Sequence, residues 1–174
     1  MEPNLSYPIG RFDRQARLTA GTQKAAIDAI AALPERMRAA VDGLTDPQLD
    51  TRYRPDGWTV RQLVHHVADS HMNGYIRMKL ALTEDHPTIK AYDQDEWARL
   101  PDARLPIAVS LTLLEALHTR WSTILRALHP HQFARTFQHP ELGPLTVDTH
   151  VHLYAWHSKH HVAHITALRL REHW

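Results

Sequence analysis

Four long stretches with helical periodicity dominate this sequence, and no stretch shows a convincing strand-like alternation of apolar and polar residues. Pro34 falls inside the first stretch and suits the first turn of a second, shorter helix. The pattern predicts an all-α chain that folds as a four-helix bundle in a single domain, residues 1–174. The four helical stretches cover about residues 22–41, 60–82, 106–128 and 147–171.

Capping residues mark the starts of two of these helices. Thr59 and Gln62 match a capping box, in which each side chain accepts a hydrogen bond from the backbone N–H of the other residue. Thr146 is placed to cap the last helix. The connection 85–106 is expected to hold a short helix near residues 93–100, and the connection 129–145 a loop or hairpin. Connections of this length can carry functional loops.

The composition excludes several functional classes. Lys and Arg total 20 against 19 Asp and Glu, which is not the basic balance of a nucleic-acid-binding protein. The apolar runs are too short to span a membrane and the N-terminal residues do not form a signal peptide, so we expect a cytoplasmic protein. The chain has no cysteine, and any metal must therefore be held by histidine, carboxylate or water.

Six of the 15 histidines fall within residues 150–164, inside the last predicted helix. Imidazole is the commonest protein ligand for zinc, and it is unfavourable to bury without a partner. At about 100° per residue, four of these histidines share the face that carries the apolar Tyr154. One histidine on such a face is usually a hydrogen-bonded core residue, but four together favour a metal site. They form two pairs with i,i+4 spacing, His157/His161 and His160/His164, and the spacing does not choose between them.

A catalytic zinc site usually has three protein ligands, so a further histidine must come from another helix. The candidates are His65, His66 and His71 on the second long stretch and His118 on the third. His66 lies on a polar stripe of the 60–82 helix. By itself, such a stripe is typical of a solvent-exposed face. Its members are Gln62, His66, Asp69, Ser70, Asn73 and Arg77.

Two motifs resemble the YfiT branch of the DinB superfamily. One runs from Gly57-Trp58 through His66-Val-Ala-Asp69 to Asn73, and the other from Tyr154-Ala-Trp-His157 through His161 to Ile165. The opening Asn4-Leu-Ser-Tyr-Pro-Ile-Gly10 is also similar to that branch. The resemblance extends over essentially the whole chain.

The resemblance implies a DinB-type four-helix bundle with short extra helices in its connections, often paired as a homodimer. It also implies a metal, zinc or nickel, held by His66, His157 and His161. The His160/His164 pair remains the alternative. His164 falls where many DinB proteins carry glutamine, so it is expected beside the ligands rather than among them.

The family's general description is metal-dependent hydrolase, and its more fully characterised members transfer bacillithiol or a related thiol to electrophiles. We therefore predict a metal-dependent enzyme that transfers a bacillithiol-like thiol to an electrophilic small molecule, with the metal holding the thiol as a thiolate. Asn73 and Arg77 are predicted to bind substrate, Arg77 through a carboxylate of the thiol. A surface salt bridge is the simpler interpretation of Arg77. Asp69 is expected to orient an imidazole.

Three alternatives stay open at the level of sequence. A hydrolase would use metal-bound hydroxide on an ester or amide, with Asp69 or His164 as acid or base. A metal-stabilised bundle without catalysis would have closed coordination by four protein ligands. A plain helical interaction protein would need no metal.

Overall fold

The computed structural model describes residues 4–16 and 18–174. Four of its helical units form the predicted bundle: a broken unit made of α1 and α2, and the long helices α4, α6 and α8. In chain order the elements are α1 (Ala20–Ala31), α2 (Leu33–Val41), α3 (Asp46–Leu49), α4 (Val60–Thr83), α5 (Gln94–Trp97), a 3-10 helix (Pro101–Arg104), α6 (Ala108–Ala127), α7 (Pro130–Phe133), β1 (Thr136–His139), β2 (Gly143–Thr146) and α8 (Val147–Glu172).

The helix starts follow the capping residues. Thr59 accepts the N–H of Gln62 and Gln62 accepts the N–H of Thr59, which confirms the predicted capping box of α4. Thr146 accepts the N–H of Thr149 at the start of α8, as predicted. α1 begins two residues earlier than expected because Thr19 forms a reciprocal cap with Thr22.

The connection before α8 is a β-hairpin. β1 and β2 pair antiparallel, with Phe137 opposite Leu145, and both side chains are buried in the core. Its outer edge is extended by the preceding connection, because the N–H of Ile89 donates to the carbonyl oxygen of Gln138 at 3.0 Å. The hairpin contacts α4 through β1. Its strands are four residues long, too short for their alternation to stand out in the sequence.

The bundle core consists of two apolar clusters with a layer of histidines between them. One cluster joins the end of α4 to the start of α8 around Trp121, and the other joins the start of α4 to the end of α8 around Leu114. Between these clusters, α4 contributes His71, α6 contributes His118 and α8 contributes His157. This histidine layer interrupts an otherwise apolar core.

α4 and α8 approach each other closely at the level of this layer. A Cβ atom added to Gly74 would lie 2.4 Å from the ring of Tyr154, so only glycine fits there without a shift. The Tyr154 hydroxyl donates to the carbonyl oxygen of Ser70 at 3.0 Å, and His150 donates to that of Gly74 at 2.9 Å. The two helices are thus held in a fixed relation where they present their histidines.

Candidate metal centre

Three imidazoles from two helices converge on one point. His66 comes from α4 and His157 and His161 from α8, and each offers a ring nitrogen within 4.8 Å of the other two. The Nε2 atoms of His157 and His161 are 3.1 Å apart, so these two ring nitrogens face a common position. This is the ligand set that a divalent transition metal prefers in cysteine-free sites, and the residues fit such an ion.

All three histidines are neutral at neutral pH, which is the form that binds a metal. Burial lowers the pKa of His66 to about 3. Burial and the neighbouring imidazoles lower the pKa of His157 and of His161 well below the usual value. The site therefore carries no positive charge of its own that would repel a cation.

His71 orients the ring of His157 by contacting the ring nitrogen that faces away from the common position. The Nε2 atom of His71 is 3.0 Å from Nδ1 of His157, which leaves Nε2 of His157 pointing at the common position. His71 is fully buried, and its ring lies 4.9 Å from that of His118, whose Nδ1 donates to the carbonyl oxygen of Ile30. The sequence offered His71 and His118 as candidate ligands, but the structure places them behind the site. His71 lies on the apolar side of α4 and not on the polar stripe that carries His66.

A second histidine group lies one turn further along α8. His160, His161 and His164 also bring ring nitrogens within 4.8 Å of one another, and His161 belongs to both groups. His160 stacks on Trp156 with ring centroids 4.3 Å apart, and His164 packs against Tyr53 at the same distance. The geometry therefore permits both pairs that the sequence left open. Of the two, His157/His161 has a ring nitrogen of α4, that of His66, beside it, and His160/His164 does not.

A cavity of about 500 Å³ opens over these histidines. The N-terminal segment forms one wall through Ser6 and Tyr7, and the Trp156 indole donates to the carbonyl oxygen of Gly10 at 3.1 Å. On the other side the Trp58 ring lies 4.4 Å from that of His66, and its indole donates to Asp95. The aromatic wall residues of this histidine cavity are Tyr7, Tyr53, Trp58 and Trp156, and none of them was predicted as a site residue from the sequence.

A second cavity, of about 540 Å³, lies on the hairpin side of the site. Ser70 lines it, and Ser70 Oγ is 3.5 Å from Nε2 of His157, so the Ser70 side chain connects this cavity with the candidate metal position. Gln94 lines both cavities. The remaining lining residues of this hairpin-side cavity are Arg77, Ala91, Tyr92, Asp93, His139, Glu141 and Leu142.

The polar stripe of α4 is not a solvent-exposed face, so that simpler interpretation is wrong. His66, Ser70 and Arg77 are all buried. The contacts explain why: α8 covers the first part of the stripe, and residues 90–92 and the hairpin cover the last part. Gln62 at its start donates to the carbonyl oxygen of Ala98 instead of facing the site.

The contacts of Asp69 and Asn73 give less support to their predicted roles than those of Arg77 do. Asp69 is half-buried, and burial together with Asp102 raises its pKa to about 6. Within residues 4–16 and 18–174, no hydrogen bond joins its carboxylate to any of the three converging imidazoles. The Asn73 amide donates to the main-chain oxygen of Asp69 on its own helix. The roles of both residues stay predictions.

Comparison with known proteins decides the family. Residues 29–165 match the family model of the DinB superfamily. The chain belongs to the DinB superfamily. It is 52% identical over 171 residues to a protein of Oceanobacillus iheyensis and 51% identical over 171 residues to one of Bacillus cereus. Both alignments cover 98% of this chain and 99% of the relative, and both relatives carry the name "putative metal-dependent hydrolase".

The fold is similar to that of YfiT from Bacillus subtilis, with a TM-score of 0.95 and 47% sequence identity. That match covers 98% of this chain and 99% of YfiT, which is described as a probable metal-dependent hydrolase with an unusual four-helix bundle topology. The resemblance and the bundle predicted from the sequence are both confirmed. No helix in the described part of the chain has the length and hydrophobicity of a membrane span. The cytoplasmic location and the homodimer stay predictions.

Proposed function

We propose that this DinB protein binds a divalent ion, zinc or nickel, through His66, His157 and His161. The observation that carries the proposal is the convergence of three neutral ring nitrogens from α4 and α8. When bound, such an ion lowers the pKa of a thiol or water that it contacts. The chain's own residues hold the imidazoles: His71 fixes the ring of His157, and Trp58 covers that of His66.

We further propose that the reaction is the transfer of a low-molecular-weight thiol such as bacillithiol to an electrophilic carbon. One cavity opens over the three imidazoles and a second is lined by Ser70, next to His157, and a two-substrate reaction needs separate room for each partner. The chain has no cysteine, so the sulfur nucleophile must come from a small molecule. A carbon–sulfur bond forms as the carbon–leaving-group bond breaks, and the thiol proton is released.

Hydrolysis is the second candidate, and the names of the similar proteins favour it. It needs one organic substrate, water and a nearby acid or base. The raised pKa of Asp69, about 6, suits a group that exchanges protons near neutrality, and His164 lies in the histidine cavity.

Metal analysis of untagged protein tests the site. We expect about one divalent ion per chain, lost in His66→Ala and in His157→Ala. Retention of the ion in His160→Ala and His164→Ala would show that the first histidine group binds it. A His161 variant cannot distinguish the two groups, because His161 belongs to both. Loss of the ion only in the latter two variants would move the site one turn along α8. Protein that binds no ion when dialysed against zinc would contradict the proposal.

The reaction is tested on zinc- and nickel-loaded protein. Bacillithiol with monochlorobimane reports thiol transfer by fluorescence, and chromogenic esters report hydrolysis by absorbance. We expect fluorescence that depends on both the thiol and the metal and that is lost in His157→Ala. Ester hydrolysis without thiol transfer would favour the second candidate.

A further inference from the structure

We propose that the hairpin-side cavity is a carboxylate-binding subsite whose cation is Arg77, and that it selects an acidic thiol. The inference rests on the proposed function for one point, that the other end of the ligand is a thiol. The evidence for the subsite itself is the surroundings of the Arg77 side chain.

Arg77 is a buried cation without a counter-charge. Its side chain is 9% exposed, and within residues 4–16 and 18–174 no salt bridge joins it to a carboxylate. One guanidinium nitrogen donates to the carbonyl oxygen of Lys90 at 2.8 Å, and the buried Nε has no partner. A buried charge without an opposite charge is unfavourable, so a ligand anion would complete this environment.

The guanidinium lies within reach of the candidate metal position. Arg77 follows Ser70 by two helical turns, roughly 10 Å along α4, and helical side chains lean toward the N-terminus of their helix. Both residues line the same cavity, and Ser70 Oγ lies 3.5 Å from Nε2 of His157. A molecule of moderate length can therefore contact Arg77 at one end and Ser70, next to His157, at the other.

The walls favour a carboxylate group over a phosphate dianion. Asp93 and Glu141, both exposed, line the same cavity and would repel a phosphate dianion. His139 adds no positive charge, because burial lowers its pKa and its Nδ1 accepts the N–H groups of Glu141 and Leu142. The planar fork of an arginine matches the two oxygens of a carboxylate.

This arrangement assigns one substrate to each cavity. The carboxylate of the thiol lies at Arg77, its sulfur reaches past Ser70 to the imidazoles, and the electrophile enters over His160 and His164. Arg77 thus determines which thiol is accepted and takes no part in bond making.

A matched pair of thiols tests the subsite by binding rather than by turnover. Cobalt(II)-loaded protein is titrated with 6-mercaptohexanoate and with 6-mercapto-1-hexanol, and the cobalt–thiolate absorption band gives both dissociation constants. We expect the carboxylate to bind about tenfold more tightly than the alcohol in the unmodified protein. Arg77→Gln should remove that preference and leave the alcohol's constant unchanged, and Arg77→Lys should keep part of it.

Arg135→Gln is the matched control, because Arg135 also donates to main-chain carbonyl oxygens, those of Ala81 and Glu84, but does not line the cavity. It should keep the full preference, and circular dichroism establishes that all variants are folded. Equal binding of the two thiols to the unmodified protein would overturn the subsite while leaving the metal-bound thiol intact.

A second measurement separates the subsite from the proposed function. Saturation-transfer NMR with hexanoate on metal-free protein requires neither the metal nor a thiol. We expect a signal that is lost in Arg77→Gln and kept in Arg135→Gln. An Arg77-dependent signal without any cobalt–thiolate band would support the subsite and contradict thiol binding at the metal. A signal that is absent, or unchanged in Arg77→Gln, would overturn the subsite.

Discussion

The Nε2 atom of His71, a fully buried residue, lies 3.0 Å from Nδ1 of His157, which is partly buried. This contact makes Nδ1 of His157 unavailable to a metal and directs Nε2 toward His161. Partners of this kind fix the tautomer and the orientation of a ligand imidazole.

Replacing His71 should therefore weaken metal binding without removing a ligand. We expect His71→Leu to bind zinc about 10- to 100-fold more weakly, as measured by competition with a chromogenic chelator. His118→Leu is the control, since His118 is equally buried and its ring is 4.9 Å from that of His71, yet it bonds Ile30 instead of a proposed ligand. Equal losses in the two variants would indicate a general packing effect.

A bound ion should also stabilise the fold, because its ligands come from helices far apart in the chain. At a zinc concentration about 100 times the dissociation constant, the expected gain is about 2.7 kcal/mol in the free energy of unfolding. Thermal unfolding with zinc and after EDTA treatment measures it. His66→Ala should show no response to zinc, and an equal response in that variant would place the ion elsewhere.

The sequence predicts the bundle and the metal ligands for different reasons. Helix periodicity and caps such as the Thr59 box are local, so the long helices are predicted to within a few residues. The ligand triad depended on the resemblance to a family, since i,i+4 spacing on α8 allows both histidine pairs. His71 could not be identified, because a histidine on an apolar face has the same pattern whether it binds a metal or supports a neighbour.

The burial of Arg77 could not be predicted from the sequence. Its position on a polar stripe is typical of exposed residues, and the burial of the stripe is produced by distant segments: residues 90–92 and the hairpin. The aromatic wall of the histidine cavity has the same origin, since Tyr7 and Tyr53 reach it from segments outside the four long helices. Sequence periodicity describes one helix at a time and cannot report which loop covers it.

Because α4 and α8 lie close together at Gly74, we expect a substitution of this glycine to affect both stability and metal binding. Gly74→Ala places a methyl group 2.4 Å from the Tyr154 ring, so we expect destabilisation by about 1–3 kcal/mol and a shift of the α8 histidines. Urea unfolding measures the first effect, and zinc affinity the second. Gly21→Ala is the control: the nearest atom to its Cβ is 3.8 Å away on an exposed helix turn, so this variant should gain about 0.5 kcal/mol. Equal stability of the two variants would mean that the Tyr154 ring moves aside without lowering the free energy of unfolding.

Two buried histidines outside the proposed ligand set should make the metal-free protein sensitive to acid. Burial lowers the pKa of His118 and of His150 to about 4 each, and both are neutral at pH 7. The unfolded chain takes up a proton on each near its ordinary value of about 6.5, whereas the folded chain does not until about pH 4. Their contribution to stability is therefore present above pH 6.5 and is lost as the pH falls toward 4, by about 3 kcal/mol per residue.

Urea unfolding of EDTA-treated protein at intervals from pH 7 to pH 4.5 measures this loss. His118→Leu removes one of the protons taken up on unfolding, so the slope of the free energy of unfolding against pH should fall by about 1.4 kcal/mol per pH unit below pH 6. His131 is exposed on α7, and His131→Gln should keep the slope of the unmodified protein. If His118→Leu and His131→Gln have the same slope, the His118 imidazole is already protonated in the folded state. The buried histidine layer would then have to contain a charge.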